Sequence, residues 1–532
     1  MHNLILPNQI AKAAPTRERP GDIAVSYAEA LEADLRKYIE GEVAFDNGSR
    51  AIYSTDSSNY RQVPIGVVIP KTVDDVVATV AAARRYGAPI LARGGGTSLA
   101  GQCCNVAVVL DFSKYLNRLI YLDPDGKQAT VEPGIVLDRL RNAAGEHGLT
   151  FGPDPATHNH NTLGGMIGNN SCGTHSVMAG KTEENIDELE ILTYDGVRIR
   201  VGPTSDGELE QIIRAGGRRG EIYTGLKGIR DKYANLIRQR YPKIPRRVSG
   251  YNLNELLPEN GFHVARALVG SECTLALTLQ AKCKLVWNPP SRSLLVLGYP
   301  DIFHTADHVM DIMDTGPIAC EAVDEMLVED MKKKGLHTGD LNYLPEGRGW
   351  LLVEYGGHTK EEADEKARRT MEVLKRKSDT PEMKLYDKAE DAAKIWEVRG
   401  EAGLGASAWI PGQHVTWEAG KTPRCRRKSS DPTCGNCAMS MMRTAIRAHS
   451  MVILGKGAFT HESRSISTRR KESSCTAALW MMRPRSSPNM AALSPESMAT
   501  ASQRPNFSLR CSVLNWSKPS ASSSKFGIPN GR

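Results

Sequence analysis

Between residues 63 and 203, short apolar runs of strand length alternate with stretches of helical period. Val67-Val-Ile69, Pro89-Ile-Leu-Ala92 and Ala107-Val-Val-Leu-Asp111 read as buried strands. Val73 to Tyr86 is an Ala/Val-rich helix that Gly87 ends, and Asp138 to His147 is a second helix stopped by Gly148. Leu189 to Val201 alternates about Asp195-Gly196, the signature of a β-hairpin. Upstream, Tyr27 to Tyr38 has apolar spacing near 3.6, so residues 1–60 are expected to form an N-terminal helical extension. Residues 204–260 read as a mostly helical insertion. Residues 286–417 alternate again, with Leu294-Leu-Val-Leu-Gly298, a helix from Thr305 and Trp350-Leu-Leu-Val-Glu-Tyr355, as a separate cap domain would. The fold class expected is α+β.

The periodicity stops near residue 418. Residues 421–532 hold 19 Lys and Arg, 4 Asp and Glu, and 21 Ser, whereas residues 1–420 hold 49 basic and 57 acidic residues. The net charge of +7 is therefore the sum of an acidic body and a basic tail. Read at face value, residues 418–532 are a disordered tail. The 11 cysteines are scattered, and without an export signal they read as reduced. No apolar run approaches the roughly 18 residues of a membrane span. The N-terminus lacks the basic-then-apolar layout of a signal peptide. The expectation is a cytoplasmic protein, or one held at the inner membrane face through a partner.

The chemistry concentrates in two glycine-rich loops. Arg93-Gly-Gly-Gly-Thr-Ser-Leu-Ala-Gly-Gln102 follows a strand, and its bare backbone can close on a pyrophosphate. Arg93, Gly94, Gly95, Gly96, Thr97, Ser98, Gly101 and Gln102 are its candidate cofactor contacts. The second loop contains Pro153, Asp154, Thr162, Gly164, Gly165, Asn169, Asn170, Ser171 and Gly173. A Rossmann fingerprint is excluded, because it would need glycine where Leu99 stands.

These loops stand in a series with Val131-Glu-Pro-Gly134, Thr193-Tyr-Asp-Gly196, Arg246-Arg-Val-Ser-Gly-Tyr-Asn-Leu253 and Val269-Gly-Ser-Glu-Cys-Thr-Leu275. The series resembles the FAD-linked D-2-hydroxyacid dehydrogenases, which carry an FAD-binding domain of the PCMH (vanillyl-alcohol-oxidase) type. Gly180-Lys-Thr-Glu-Glu-Asn185 resembles the long subgroup with an iron–sulfur domain after the flavin part. The resemblance implies a two-lobed FAD domain over residues 61–285, with its core at 63–203, and an α/β substrate domain over 286–417. It implies non-covalent FAD, since no histidine stands in the first loop. It adds Ile186, Glu272 and Thr274 to the cofactor contacts, and gives Arg399 the role of gripping a substrate carboxylate. The substrate implied is a small 2-hydroxy acid, and the electron acceptor a quinone, a cytochrome or an iron–sulfur protein. Cys273 departs from the family, which has glycine there. His158 and His160 are expected to be structural.

The resemblance also gives the tail a second reading. Let each codon start with the last base of the printed residue before it. Met451-Val452 and Met498-Ala499 then force glycines. Ser450 to Ser467 re-reads as H-G-H-F-G-Q-G-C-I-H-T-R-V-A-F-D-L, Pro495 to Ala499 as G-E-H-G, and Lys421 to Lys428 as D-S-A-V-P-P-E. All three are downstream motifs of the family, in order, so a one-base loss near Ala419-Gly420 is expected. In the intact family the H-x-F-G-x-G-x-x-H histidines and the glutamate of G-E-H-G bind a divalent metal ion, whose ligands the printed tail lacks. The tail cysteines, including Cys434-Gly-Asn-Cys437, are accordingly set aside as a metal site, and the tail as a nucleic-acid site. The alternative class is a non-catalytic flavin- or metal-binding protein.

Overall fold

The computed structural model describes residues 26–408, apart from residues 59, 337 and 338 and the side chains of 340 and 400–408. Its first sheet has the order β1-β2-β4-β3, with β1 Glu42–Ala44, β2 Gly66–Ile69, β3 Ile90–Arg93 and β4 Val108–Asp111. β1 is antiparallel to β2, while β2, β4 and β3 are parallel. The helix Val73–Arg85 connects β2 to β3. It starts at a capping box in which the Thr72 side chain accepts from the Asp75 amide. The buried Asp75 carboxylate also accepts the main-chain N–H groups of Glu40, Gly41 and Lys71 at 2.8–3.1 Å. The helix Ala28–Tyr38 buries Leu31 and Leu35 in this same core. Residues 28–44 thus form the edge of the first lobe instead of extending away from it: three β1–β2 pairs and two buried leucines fasten them.

The second lobe is a five-stranded antiparallel sheet of order β5-β6-β10-β8-β9. Its strands are β5 Leu119–Asp123, β6 Gln128–Val131, β8 Ile186–Leu192, β9 Arg198–Val201 and β10 Leu277–Lys284. β8 and β9 form the hairpin expected around Asp195-Gly196. The β5–β6 hairpin and β10 were not marked by the sequence reading. β10 does alternate, with Thr278, Gln280 and Lys282 between buried Leu277, Leu279, Ala281 and Cys283, so this strand was legible and was not read. The helices Leu137–Gly145 and Leu163–Asn169 pack on this lobe. The insertion supplies the helices Asp206–Ala215 and Gly217–Arg240, then two short 3-10 turns. Short strands β7 Leu149–Thr150 and β11 Val286–Trp287 pair before the chain enters the cap.

The cap is an antiparallel sheet of order β13-β14-β12-β15, built from β12 Ser291–Tyr299, β13 Ala319–Asp324, β14 Gly349–Gly357 and β15 Glu382–Tyr386. All nine residues of β14 are buried, because helices cover both faces. The helices Ile302–Met313 and Lys360–Lys375 contribute to one core, Glu325–Lys334 and Ala389–Ala408 to the other. The expectations for the chain beyond residue 408, including the change of frame, lie outside the described residues.

Candidate cofactor site

The first loop leaves the C-terminal end of β3 and is anchored by Arg93. Its guanidinium donates to the carbonyls of Tyr53 (3.3 Å), Cys103 (3.1 Å) and Thr55 (2.8 Å), and lies 5.2 Å from the centre of the Tyr53 ring. Arg93 is therefore a fastener of the loop, and its donors point at protein carbonyls. Gly94 and Gly95 are demanded by close approach to the second loop. A Cβ on Gly94 would lie 1.9 Å from Thr162 Oγ1, and one on Gly95 would lie 2.2 Å from the His160 carbonyl oxygen. Gly96 takes φ +66°, where only glycine is unstrained.

Among the described residues, the amide N–H groups of Gly94, Gly95, Gly96 and Thr97 have no protein acceptor. Four adjacent donors without partners are what an anionic diphosphate needs. The residues present thus fit the phosphate part of FAD. The N-terminus of the helix Leu163–Asn169 does not compete for that role. Its first three amides are taken by the Ile135 carbonyl, the Pro133 carbonyl and Thr162 Oγ1.

The second loop is pinned from three sides. Pro133 and its neighbours hold its helix, and Gly134 allows this turn because a Cβ there would meet the Phe112 carbonyl at 2.0 Å. Asn170 is fully buried at φ 51°, ψ 51°, and caps the helix in the left-handed conformation. Its side chain binds Glu183, so it supports the loop from behind. Asn169 donates to the Gly165 carbonyl at 3.2 Å. Ser171 accepts from Thr182 through its carbonyl. Gly173 lies so close to Asp154 that a Cβ would fall 2.0 Å from its backbone. Pro153 is buried beside it. Gly165 and Gly168 have no obstructing backbone around them, and form the open side of the helix.

The third segment closes on these two. The amides of Gly270 and Glu272 donate to the Ile167 and Gly168 carbonyls at 2.8 and 2.9 Å. Gln102 reaches Glu272 at 3.4 Å, and the Ser98 hydroxyl donates to Gln102. Thr274 is tied to Ser271 and to the Tyr251 hydroxyl. Gly101, at φ +77°, faces Tyr60. The three segments predicted to share one site are thus brought together. Ile186 stands apart in role: its carbonyl accepts from Arg266 at 3.2 Å and its amide bonds Glu183, so both backbone groups are committed to protein.

Two expectations need correction. Asp154 spends both carboxylate oxygens on His175, accepting its main-chain N–H at 2.7 Å and lying 2.5 Å from Nδ1. It supports the loop through His175. Arg399, expected to be open to a substrate carboxylate, is buried and ion-paired with Glu321 on β13, itself fully buried. Its charge is answered inside the protein. His158 Nδ1 lies 2.7 Å from Asp138 Oδ2, and His160 Nδ1 lies 2.7 Å from Asn159 Oδ1.

His175 was not singled out by its sequence. Its Nε2 lies 2.7 Å from Glu354 Oε2 on β14. Burial disfavours the charged ring, but Asp154 and Glu354 override it and push His175 up to about 9. Burial likewise opposes ionisation of Asp154 and Glu354, and the imidazolium holds both below the usual carboxylate range. A lone histidine in a Thr-His-Ser context gives no signal of two distant acids.

Residues 64–202 match the FAD binding domain family, and residues 288–418 match the C-terminal domain of FAD linked oxidases. The lobes, the unpartnered amides and these two matches define a flavoprotein of the FAD-linked oxidase class. The chain carries both domains of the FAD-linked oxidases and is similar to FAD-linked dehydrogenases and oxidases of 2-hydroxy acids. It is 31% identical over 385 residues to the D-2-hydroxyglutarate dehydrogenase of Pseudomonas putida, covering 70% of this chain and 38% of that one. It is 28% identical over 375 residues to the glycolate oxidase subunit GlcD of Bacillus subtilis, covering 68% and 67%. The mitochondrial D-lactate dehydrogenase (cytochrome) of Kluyveromyces lactis is 22% identical, over 70% and 56%. The chain spans 31–38% of the length of the D-2-hydroxyglutarate dehydrogenases it matches.

Proposed function

We propose that this chain binds FAD non-covalently and descends from an enzyme that oxidises a small D-2-hydroxy acid to the 2-oxo acid. The observation that carries this reading is the row of unpartnered amides at Gly94–Thr97, set against the open face of the helix Leu163–Asn169. FAD, when bound, supplies the hydride acceptor. The chain's own part is to neutralise the diphosphate with backbone dipoles and to keep the second loop in register through Asn170 and Glu183. Electrons then leave to a quinone, a cytochrome or an iron–sulfur partner. No helix among the described residues is long and apolar enough to cross a membrane.

The hydroxyl proton needs a base beside the hydride acceptor. Among the described residues no group of three His, Cys, Asp or Glu side chains can hold a metal ion. The family's metal and base motifs are recovered only by shifting the frame after residue 419. The match to the family's C-terminal domain ends at residue 418, which supports that reading. The chain therefore binds flavin but turns over poorly. The test is flavin loading of the full chain, followed by D-2-hydroxyglutarate, D-lactate or glycolate with a dye acceptor. Bound flavin with little dye reduction is expected. Brisk turnover overturns the impairment, and refusal of FAD by folded protein overturns the function. Sequencing the DNA across codons 417–421 checks the frame.

A further inference from the structure

His175, Glu354 and Trp396 connect the second glycine loop to the last helix of the cap. Glu354 uses one oxygen for each partner: Oε2 lies 2.7 Å from His175 Nε2, and Oε1 accepts from Trp396 Nε1 at 3.1 Å. On the other side of the ring, His175 Nδ1 meets Asp154, two residues past Gly152 and packed against Gly173. Asp154 and Glu354 side chains are both under 10% exposed, as is His175. Trp396 sits one turn before Arg399 on the helix Ala389–Ala408, and Arg399 is held by Glu321 on the neighbouring strand β13. The two acids lie on the same face of the cap sheet, since Ala319 pairs with Glu354 and Glu321 follows Ala319 by two residues.

We propose that His175 is a positioning residue that couples the flavin-facing loop to the helix carrying Trp396 and Arg399. This rests on the reading of that loop as part of the cofactor site. The physical reason is charge neutrality in a buried place. Each buried carboxylate needs positive charge beside it, and His175 supplies the charge that lies between the two, so its loss removes the one cation they share. Arg292 Nη1 lies 3.1 Å from Glu354 Oε2 and Arg141 faces Asp154, so each acid keeps one further cation. Among the described residues, His175 contacts both acids, and Glu354 contacts both His175 and Trp396. Movement of the loop is therefore transmitted to the cap helix through two hydrogen-bonded contacts, alongside the packing of Val177 on the cap core.

Hydrogen exchange on the full chain without FAD tests the coupling, independently of flavin binding and of turnover. In His175→Gln, amides of residues 171–179 and of residues 389–399 are both expected to exchange at least tenfold faster. His175→Arg, which keeps a cation between the acids, is expected to restore both segments toward the parent rate. Trp396→Phe, a milder change at the far end, is expected to speed exchange in 171–179 as well as in its own helix. Acceleration confined to the mutated segment in all three variants overturns the proposal. A parallel FAD titration of the parent separates the two readings: failure to bind FAD counts against the cofactor site, while the exchange result judges the coupling.

Discussion

The side chain of Asn170 closes a pair of hydrogen bonds with Glu183: Nδ2 donates to Oε2 at 2.6 Å, and Oδ1 accepts the Glu183 main-chain N–H at 3.1 Å. Lys181 Nζ lies 3.0 Å from Glu183 Oε1, and Arg247 approaches the same oxygen at 3.9 Å while binding Asn252 and Asn254. Three sequence motifs, at 169–173, 180–185 and 246–254, thus meet around one buried carboxylate. Asn170→Ala is expected to cost about 2–4 kcal/mol, from the lost partners of Glu183 Oε2 and of its main-chain N–H and from a left-handed alanine. Asn170→Gly is expected to cost less, because it removes only the hydrogen bonds. Urea unfolding of the two variants checks the order.

Cys273 has φ +61° and follows Glu272 at φ +51°. The family's glycine at this place is explained by that backbone. A left-handed non-glycine residue costs about 1–2 kcal/mol, and a glycine loses about 0.4–1 kcal/mol through the unfolded chain. Cys273→Gly is therefore expected to raise Tm by about 1–3 °C. A lower Tm would show that the thiol contributes more than the strain it brings.

Arg399 and Glu321 form a buried ion pair in the cap. Removing one partner leaves an uncompensated buried charge, so Arg399→Ala is expected to cost about 3–5 kcal/mol. Replacing both, as in Arg399→Met with Glu321→Leu, is expected to recover most of that loss. Denaturant unfolding of the single and double variants measures the difference. Equal losses in both would place the importance of Arg399 elsewhere.

Two histidines shape the pH dependence with opposite signs. His263 caps the helix Val264–Leu268, and burial, aided by Arg266, pushes it down to about 4. Below pH 6.5 the unfolded chain binds a proton that folded His263 refuses, so stability falls as pH drops from about 6.5 toward 4. His175, pushed up to about 9, works the other way: its contribution is complete below about 6.5 and is lost as pH rises through 9. His263→Asn, which keeps a capping acceptor, is expected to flatten the acid limb alone. His175→Arg is expected to flatten the alkaline limb alone. Thermal melts from pH 4 to 10 read both.

Much of the fold was legible where a segment's pattern matched its environment. The helix Val73–Arg85 and the β8–β9 hairpin carry their own caps and turns, and stand where periodicity placed them. β1 was not visible, because three residues at a sheet edge leave no period to read. The glycines of the first loop announced a close approach, but not what approaches. Gly94 and Gly95 are required by Thr162 and His160, and the amides they carry are what the proposed cofactor would use. The roles of Asp154, His175 and Arg399 were hidden for a common reason. Each depends on a partner more than 20 residues away or on another sheet, and pairing of that kind leaves no local spacing.

The most direct measurement is a fluorescence titration of FAD with the full chain, with circular dichroism to confirm that the protein is folded. Saturable quenching at one FAD per chain is predicted, with the bound flavin released on denaturation because nothing holds it covalently. Folded protein that leaves FAD fluorescence unchanged would contradict the assignment of the Gly94–Thr97 amides to a diphosphate, and the function built on it.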